Sequence, residues 1–502
     1  MTDGFVSVRI DGGTVSVPRG ASVADIAHLK KPCGGHGKCG KCRVIVHGAL
    51  SPVTETERNF LSDEEIALGV RLACLTRAEG DCEIITTRGE SKTHVLSDGI
   101  TEVTDADPAF SDLGVAVDIG TTTLAAKLYD TSGQVLASAT ALNPQAEFGA
   151  DVISRIEASI GGKSELLASS VSGAIDSLMT ELSLKAGTSP ARIDGVVITG
   201  NTVMLHLLTG TSVEPFSHAP FRAPRLFGET VKASSLSLAS LAPDTRVYLP
   251  PCISAFVGAD ITCAILSTGL CGGDTAMVAD IGTNGELALY HGGRLTVCST
   301  AAGPAFEGVG ISMGMQGSDG AVDRVSVENG AVSAHVIGGA APRGICGSGL
   351  VDAAACMLET GILDESGYLE DDCFVVSEPV VLTQKDVRML QLAKSAIYGG
   401  IMTLLDSEGI TPEDVRKFYV AGGFGYYLDA GNASKIGLIP GALATRARAV
   451  GNASLGGASM LLLDVSKREE CRLIAENAVV RELSADPVFE NYYVSGMLFA
   501  QL

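Results

Sequence analysis

A chain of 502 residues is too long for one ordinary core and predicts two or three compact units. Its 58 acidic against 36 basic residues leave a formal charge of −22, which argues against nucleic acid as a partner, because phosphate affinity comes from clustered Lys and Arg. Residues 1–100 hold 12 Lys and Arg against 13 Asp and Glu, so nearly all the excess acid lies downstream and reads as solubility, not as a site.

The opening MTDGFVSVRIDGG lacks a basic segment followed by an apolar run. The most apolar stretches, Val196–Leu208 and Phe256–Leu270, are interrupted by Asn201 and Asp260 and fall short of the ~20 residues a membrane span needs. A cytoplasmic protein with no membrane partner is therefore expected. In that reducing compartment, thirteen cysteines point to ligation and ordinary burial, not to a disulfide framework.

In chain order, FVSVRI and TVSVP alternate apolar and polar residues around Asp11-Gly12-Gly13, a hairpin signal. A short helix over Ala21–Lys30 is expected next. After a glycine-rich cysteine loop come a strand over Cys42–His47, an acidic helical stretch near Thr54–Leu68, and strands around Arg71–Thr76 and Cys82–Thr87. This β-β-α-β order is that of a β-grasp ferredoxin. Residues 89–112 carry no sustained periodicity and are rich in Ser, Thr, Asp and Pro, the composition of a linker. From Leu113 strands and helices alternate and Gly is abundant, as in α/β proteins. Val117-DIGTTTLA (117–125) is echoed by Ala279-DIGTNGELA (279–288), so two related lobes are expected. The boundaries that follow are a first domain at 1–90, a linker at 91–112, and lobes at 113–275 and 276–502.

The sharpest chemical signal is Cys33-x5-Cys39-x2-Cys42 with Cys74 far downstream. Iron–sulfur clusters need thiolates converging on the irons, and a tight glycine loop lets three come from one segment while a fourth arrives from a distant strand. Gly34, Gly35, Gly37 and Gly40 supply that loop. A zinc knuckle is the rival, since Cys-x2-Cys is also a zinc spacing, but zinc sites normally pair two knuckles and Cys74 stands alone. In PCGGHGKCGKC and RLAC the sequence resembles [2Fe–2S] ferredoxins, with a first spacing one residue longer than the plant-type motif. Cys82 and the cysteines at 252, 263, 271, 298, 346, 356, 373 and 471 read as core residues, and His36 as a solvated loop histidine.

There is no Walker A sequence and no G-x-G-x-x-G after a strand. Instead, Asp118-Ile-Gly-Thr-Thr places a carboxylate at a strand end before a turn whose Gly120, Thr121 and Thr122 can face a polyphosphate. Asp280-Ile-Gly-Thr-Asn repeats the device with Gly282, Thr283 and Asn284. The two carboxylates would hold hydrated Mg²⁺ or orient a water. Gly344-Ile-Cys-Gly-Ser-Gly, with Gly347, Ser348 and Gly349, leads into an apolar helix expected from near Leu350. Val420-Ala-Gly-Gly, with Gly422 and Gly423, ends a strand; both are places where backbone can approach a base or ribose.

In this order the four segments resemble the acetate/sugar kinase, DnaK-type chaperone and actin (ASKHA) superfamily. NPQAEFGADVISRI (143–156), TGNTVMLHLLTG (199–210), PPCISAFVGADI (250–261), AAGPAFEG (301–308) and GICGSGLVD (344–352) narrow the resemblance to its ferredoxin-fused branch, the reductive activators of corrinoid proteins. The resemblance implies a two-lobed, actin-like ATPase behind a β-grasp [2Fe–2S] domain. Such a protein would use ATP to return the Co(II) corrinoid of a methyltransferase system to Co(I), fed by an upstream low-potential electron donor. Cys33, Cys39, Cys42 and Cys74 would hold the cluster. Asp118, Asp280 and the two turns would handle ATP and Mg²⁺, and Gly422 and Gly423 the adenosine. Glu286 would polarise a water beside the γ-phosphate, unless it is an exposed strand residue. A homodimer is expected from the resemblance alone, with no heptad signal behind it. Better-known fused activators carry an extra segment after the ferredoxin domain, where here only about 25 residues intervene. Two alternatives stand beside this reading: a small-molecule kinase with a redox-sensing domain, using Asp151 or Asp194 as its carboxylate, and a non-hydrolysing ATP-binding electron carrier.

Overall fold

The computed structural model describes residues 5–10, 13–27, 29, 35–37, 40, 42–85, 107–328 and 331–499. The Asp11-Gly12 turn, Lys30, Cys33, Gly34, Cys39 and linker residues 86–106 lie outside them. The chain divides into two compact units, Met1–Ser91 with Pro144–Arg155, and Lys92–Asn143 with Ile156–Leu502.

The first unit carries β1 (Phe5–Ile10), β2 (Gly13–Pro18), β3 (Ala21–Ser22), β4 (Arg43–Leu50), β5 (Val70–Leu72) and β6 (Arg77–Ile85). They form one sheet of order β2-β1-β6-β4-β5, with β3 on β6. The β1–β2 hairpin is antiparallel, from Phe5 opposite Pro18 to Ile10 opposite Gly13, and β1 then runs parallel to β6. The helix expected over Ala21–Lys30 covers only Val23–Ile26, because Ala21 and Ser22 are taken by pairing with Ala78 and Arg77. The acidic stretch is two short helices, Glu55–Arg58 and Asp63–Ala67, the first opened by a capping box between Thr54 and Glu57. The strand expected over Arg71–Thr76 ends at Leu72, and residues 73–75 turn. Val8, Val23, Val44, Leu72 and Ile84 form the core, with Cys82 inside it as expected.

The second unit is built twice on one plan. Its first sheet, β7 (Leu113–Ile119), β8 (Thr123–Asp130), β9 (Val135–Leu142), β10 (Ile193–Gly200), β11 (Glu229–Lys232) and β12 (Arg246–Leu249), has the order β11-β12-β10-β7-β8-β9. The next strands are β13 (Ala276–Ile281), β14 (Gly285–His291), β15 (Arg294–Thr300), β16 (Ala321–Glu328), β17 (Ala331–Val336), β18 (Gly344–Ile345), β19 (Cys373–Ser377), β20 (Val380–Thr383), β21 (Lys417–Ala421), β22 (Ala447–Gly451) and β23 (Val479–Val480). Of these, β22-β21-β13-β14-β15-β23 form the second sheet. In each, an antiparallel three-strand meander begins at a central strand whose other neighbour is parallel: β10 beside β7, β21 beside β13. Asp118 and Asp280 sit near the C-terminal ends of those central strands, where open sheets that mix in crossover connections gather their ligands.

Two helices, Ala259–Thr268 and Ala453–Leu463, pack on each other inside a core that draws Ala116 and Val197 from the first sheet and Val278 and Ala288 from the second. Their close crossing depends on Gly457, where a Cβ would stand 2.1 Å from the Cys263 carbonyl oxygen. The outer faces of the sheets are covered by Ser164–Lys185 and Gln384–Ser407. Residues 107–112, placed by sequence in the linker, belong to this unit's fold: Phe110 is buried and the Asp194 carboxylate accepts the backbone N–H groups of Ser111 and Asp112. Cys271, expected in the core, is exposed, whereas Cys252, Cys263, Cys298, Cys346, Cys356 and Cys471 are buried. Among the described residues no helix is long and apolar enough to cross a membrane.

Candidate functional site

Two places carry chemistry, one in each unit. In the first, the turn after β5 brings Cys74 to Cys42, which immediately precedes β4; their Sγ atoms are 3.2 Å apart and the Cys74 N–H points at Cys42 Sγ, 3.5 Å away. Two thiols separated by 31 residues of chain thus converge on one point, as ligands of a single cluster must. Gly37 and Gly40, with φ of +67° and +64°, turn the loop tightly; a Cβ on Gly40 would lie 2.7 Å from the Phe60 ring. Cys33 and Cys39 lie outside the described residues. His36 is exposed, as expected of a solvated loop residue.

A buried ion pair holds the Cys74 segment in place. Arg71 donates through Nε and Nη2 to the two Glu57 oxygens at 2.9 and 3.0 Å, and Leu72 N–H and Thr76 Oγ1 donate to the same carboxylate. Burial pushes the Glu57 carboxyl up, but the Arg71 guanidinium and the backbone donors outweigh it and hold the group below its ordinary range.

The second place is a cavity of about 260 Å³ wholly within the second unit. Both hairpin turns line it: Gly120, Thr121 and Thr122 after β7, and Gly282, Thr283 and Asn284 after β13. Each turn is closed by the N–H of its glycine, though at different reach: Gly120 N–H to Thr123 O, three residues on, and Gly282 N–H to Asn284 O, two residues on. Gly347, Ser348, Gly422 and Gly423 face the same space, together with Phe424 and Tyr427. The helix expected from near Leu350 begins at Gly347, so Gly349 lies inside it, against the Val322 carbonyl, and is not part of the cavity wall. Gly422 has φ +89° and a Cβ there would be 2.7 Å from Asp280 Oδ1, so the second carboxylate and this glycine are in direct apposition.

Five carboxylates meet here: Asp118, Asp260, Asp280, Glu286 and Glu307. Asn452 Nδ2 and Ser454 Oγ each donate to Asp118 at 2.9 Å. Burial pushes Asp118 up against those hydrogen bonds. It lifts Asp280 to about 7, with Asp118 and Glu307 adding repulsion, and Asp260 to about 8, with Asp118 and Asp280 adding theirs. Glu286 is driven well above its ordinary value by burial and by Asp260 and Asp280. It is therefore not the exposed strand residue that was one expectation: β14 points it inward, where it accepts the Gly258 N–H at 3.4 Å. Glu307 links the two turns, accepting Thr283 N–H at 2.9 Å, Thr283 Oγ1 at 2.6 Å, and the Thr122 hydroxyl. So many acids in one buried space can all ionise only if cations join them, which suits a magnesium polyphosphate.

Sequence reasoning assigned no role to Asp260, Glu307, Asn201, Asn452 or Ser454. A signal for two of them was present: strand-Gly-Asn-helix occurs at Gly200-Asn201 and again at Gly451-Asn452, and each Asn caps the helix it opens. Neither carboxylate offered for a kinase acceptor site is free for that work. Asp151 caps its own turn through the Ser154 N–H at 2.7 Å, and Asp194 is spent on Ser111 and Asp112.

Residues 8–79 match the profile of the 2Fe-2S iron-sulfur cluster binding domain, 113–272 that of the RACo middle region, and 274–502 that of the C-terminal domain of RACo, the ASKHA domain. The corrinoid activation enzyme RamQ of Eubacterium limosum is 34% identical over 454 residues, 83% of this chain and 76% of its own. The [Co(II) methylated amine-specific corrinoid protein] reductase of Methanosarcina barkeri is 30% identical over 337 residues, 61% of this chain and 62% of its own. A solved reductive activator for corrinoid, iron-sulfur protein superposes with a TM-score of 0.73 at 29% identity, over 98% of both chains. With the converging thiols, the duplicated carboxylate hairpins and relatives alike over most of their length, this chain belongs to the RACo family of reductive activators of corrinoid proteins.

Proposed function

We propose that this protein couples ATP to the one-electron reduction of a protein-bound corrinoid from Co(II) to Co(I), restoring it for methyl transfer. The observation that carries the reading is the pairing, on one chain, of the Cys42–Cys74 convergence with two carboxylate-tipped hairpins on one cavity. Cys33, Cys39, Cys42 and Cys74 would hold a [2Fe–2S] cluster, which when bound supplies a one-electron carrier refilled by an upstream low-potential donor. The Glu57–Arg71 pair fixes the strand end that presents Cys74.

In the second unit, with 113–275 and 276–502 as its two lobes, Thr121, Thr122, Thr283 and Asn284 would orient the ATP phosphates. Asp118 and Asp280 would hold hydrated Mg²⁺, and Gly347, Ser348, Gly422 and Gly423 would let base and ribose approach the backbone. Glu286, whose ionisation burial and the neighbouring Asp260 and Asp280 suppress, would position the attacking water together with Asp260. Where the cluster's potential lies above that of the Co(II)/Co(I) couple, electron transfer costs about 2.3 kcal/mol for each 100 mV of deficit. ATP offsets it only through its differential affinity for the partner-docked and free states, so turnover and docking are coupled.

The deciding experiment is anaerobic spectroscopy of a Co(II)-corrinoid methyltransferase subunit mixed with this protein, a low-potential reductant and Mg-ATP. The expected result is a Co(I) band that requires both ATP and the intact cluster. Cobalt reduction with no ATP hydrolysis would move the reading to a non-hydrolysing carrier.

A further inference from the structure

Glu307 has the strongest unexplained position in the cavity. It closes the turn Pro304–Glu307, and its carboxylate takes three donors that face the cavity from the two hairpins: the Thr283 N–H, the Thr283 hydroxyl and the Thr122 hydroxyl. Backbone N–H and hydroxyl groups at glycine turns are what phosphate oxygens are recognised by. An anion carried by the chain itself already occupies them. It lines the cavity, and a Cβ on Gly282 would stand 3.7 Å from its Oε1, so it crowds the place where a polyphosphate has to sit.

We propose that Glu307 is an internal surrogate for nucleotide phosphate, latching the two hairpins together until ATP displaces it. The inference rests on the nucleotide reading of this cavity. A carboxylate and a phosphate oxygen cannot both receive the same hydroxyl protons, so binding and latching exclude each other. The latch also reaches beyond the phosphates. The neighbouring Phe306 stacks on Phe424 with ring centroids 4.5 Å apart, and a Cβ on Gly347 would stand 2.1 Å from the Phe306 carbonyl. Displacing Glu307 therefore shifts the segment that walls the glycine side of the cavity, turning phosphate occupancy into a movement of 303–309. A cation ligand in this place would make the opposite prediction, because its loss weakens the binding of magnesium nucleotide. A plain strut would leave affinity unchanged.

The test is equilibrium binding of a non-hydrolysable ATP analogue with Mg²⁺ to the full-length protein and to Glu307→Gln and Glu307→Ala. Both variants are expected to bind about three- to tenfold tighter, since the bound state no longer competes with a latched one. Equal or weaker binding by the variants, with the wild type binding well, overturns the latch and leaves the nucleotide reading intact. A wild type that binds no nucleotide overturns both. Hydrogen exchange on the wild type gives a measurement free of folding effects: the analogue should lower deuterium uptake in 118–123 and 280–285 but raise it in 303–309. Protection of all three segments would count against the latch.

Discussion

At the scale of single residues, the electrostatics of the two units run in opposite directions. Glu57 is a buried acid held ionised, with its carboxyl below the ordinary 4.5 after Arg71 and the backbone donors outweigh burial. Its stabilisation is present above that value and is lost as pH falls through the depressed one. Removing one partner of such a pair strands the other charge, so Glu57→Ala should cost the first unit about 3–5 kcal/mol. Loss of the cluster's visible absorbance at a lower temperature than in the wild type checks it. Asp280 and Asp260 are the reverse case, lifted from 3.8 to about 7 and about 8. Protons bound by the folded state stabilise it below 3.8, and that advantage is lost as pH rises toward 8. Without Mg²⁺ or nucleotide, the second unit's melting temperature should fall across that range, and Mg²⁺ should restore it increasingly at the alkaline end, because metal ligands must be deprotonated. A melting temperature that Mg²⁺ raises equally at every pH would mean that Asp280 is not one of its ligands.

At the scale of elements, the second unit rests on two helices that cross almost backbone to backbone. Ala453–Leu463 is buried on all sides, and Gly457 lies where any side chain would meet the Cys263 carbonyl at 2.1 Å. Gly457→Ala should therefore destabilise by about 1–3 kcal/mol through overpacking, although alanine is the better helix former. Chemical denaturation followed by circular dichroism measures it, and a stabilised variant would show that the helices are free to separate. The crossing matters for function because the same helix starts from Asn452 and Ser454, which hold Asp118. Local signals predicted the hairpins at Asp118 and Asp280 correctly, since a strand, a glycine turn and a returning strand are a short-range pattern. They overestimated the helix after Gly20, where pairing of Ala21 and Ser22 with β6, a contact with residues more than fifty positions away, overrode propensity.

At the scale of the whole molecule, the converging thiols and the carboxylate-lined cavity lie in separate compact units, so the redox and nucleotide roles proposed for them should be separable by mutation. Cys74→Ser should abolish Co(I) formation while leaving nucleotide binding intact. Asp280→Asn should keep the cluster's spectrum and lose the ATP dependence. Parallel assays of cluster absorbance, nucleotide binding and Co(I) formation check both, and a Cys74→Ser protein that still yields Co(I) would remove the cluster from the electron path.

The ferredoxin-like cysteine spacing, the doubled hairpin and the family are legible along the chain, because each is written in residues near one another or in a repeated order. Which acids share the cavity is fixed only by packing. Glu307 reaches Thr122 across 185 residues and Asn452 reaches Asp118 across 334. The burial that makes Glu286 an inward-facing acid exists only once the two sheets and their helices enclose it. Spacing along a chain reports which groups can be brought together by a turn. Which distant groups are forced to share one low-dielectric space, and so alter each other's charge, is a property of packing.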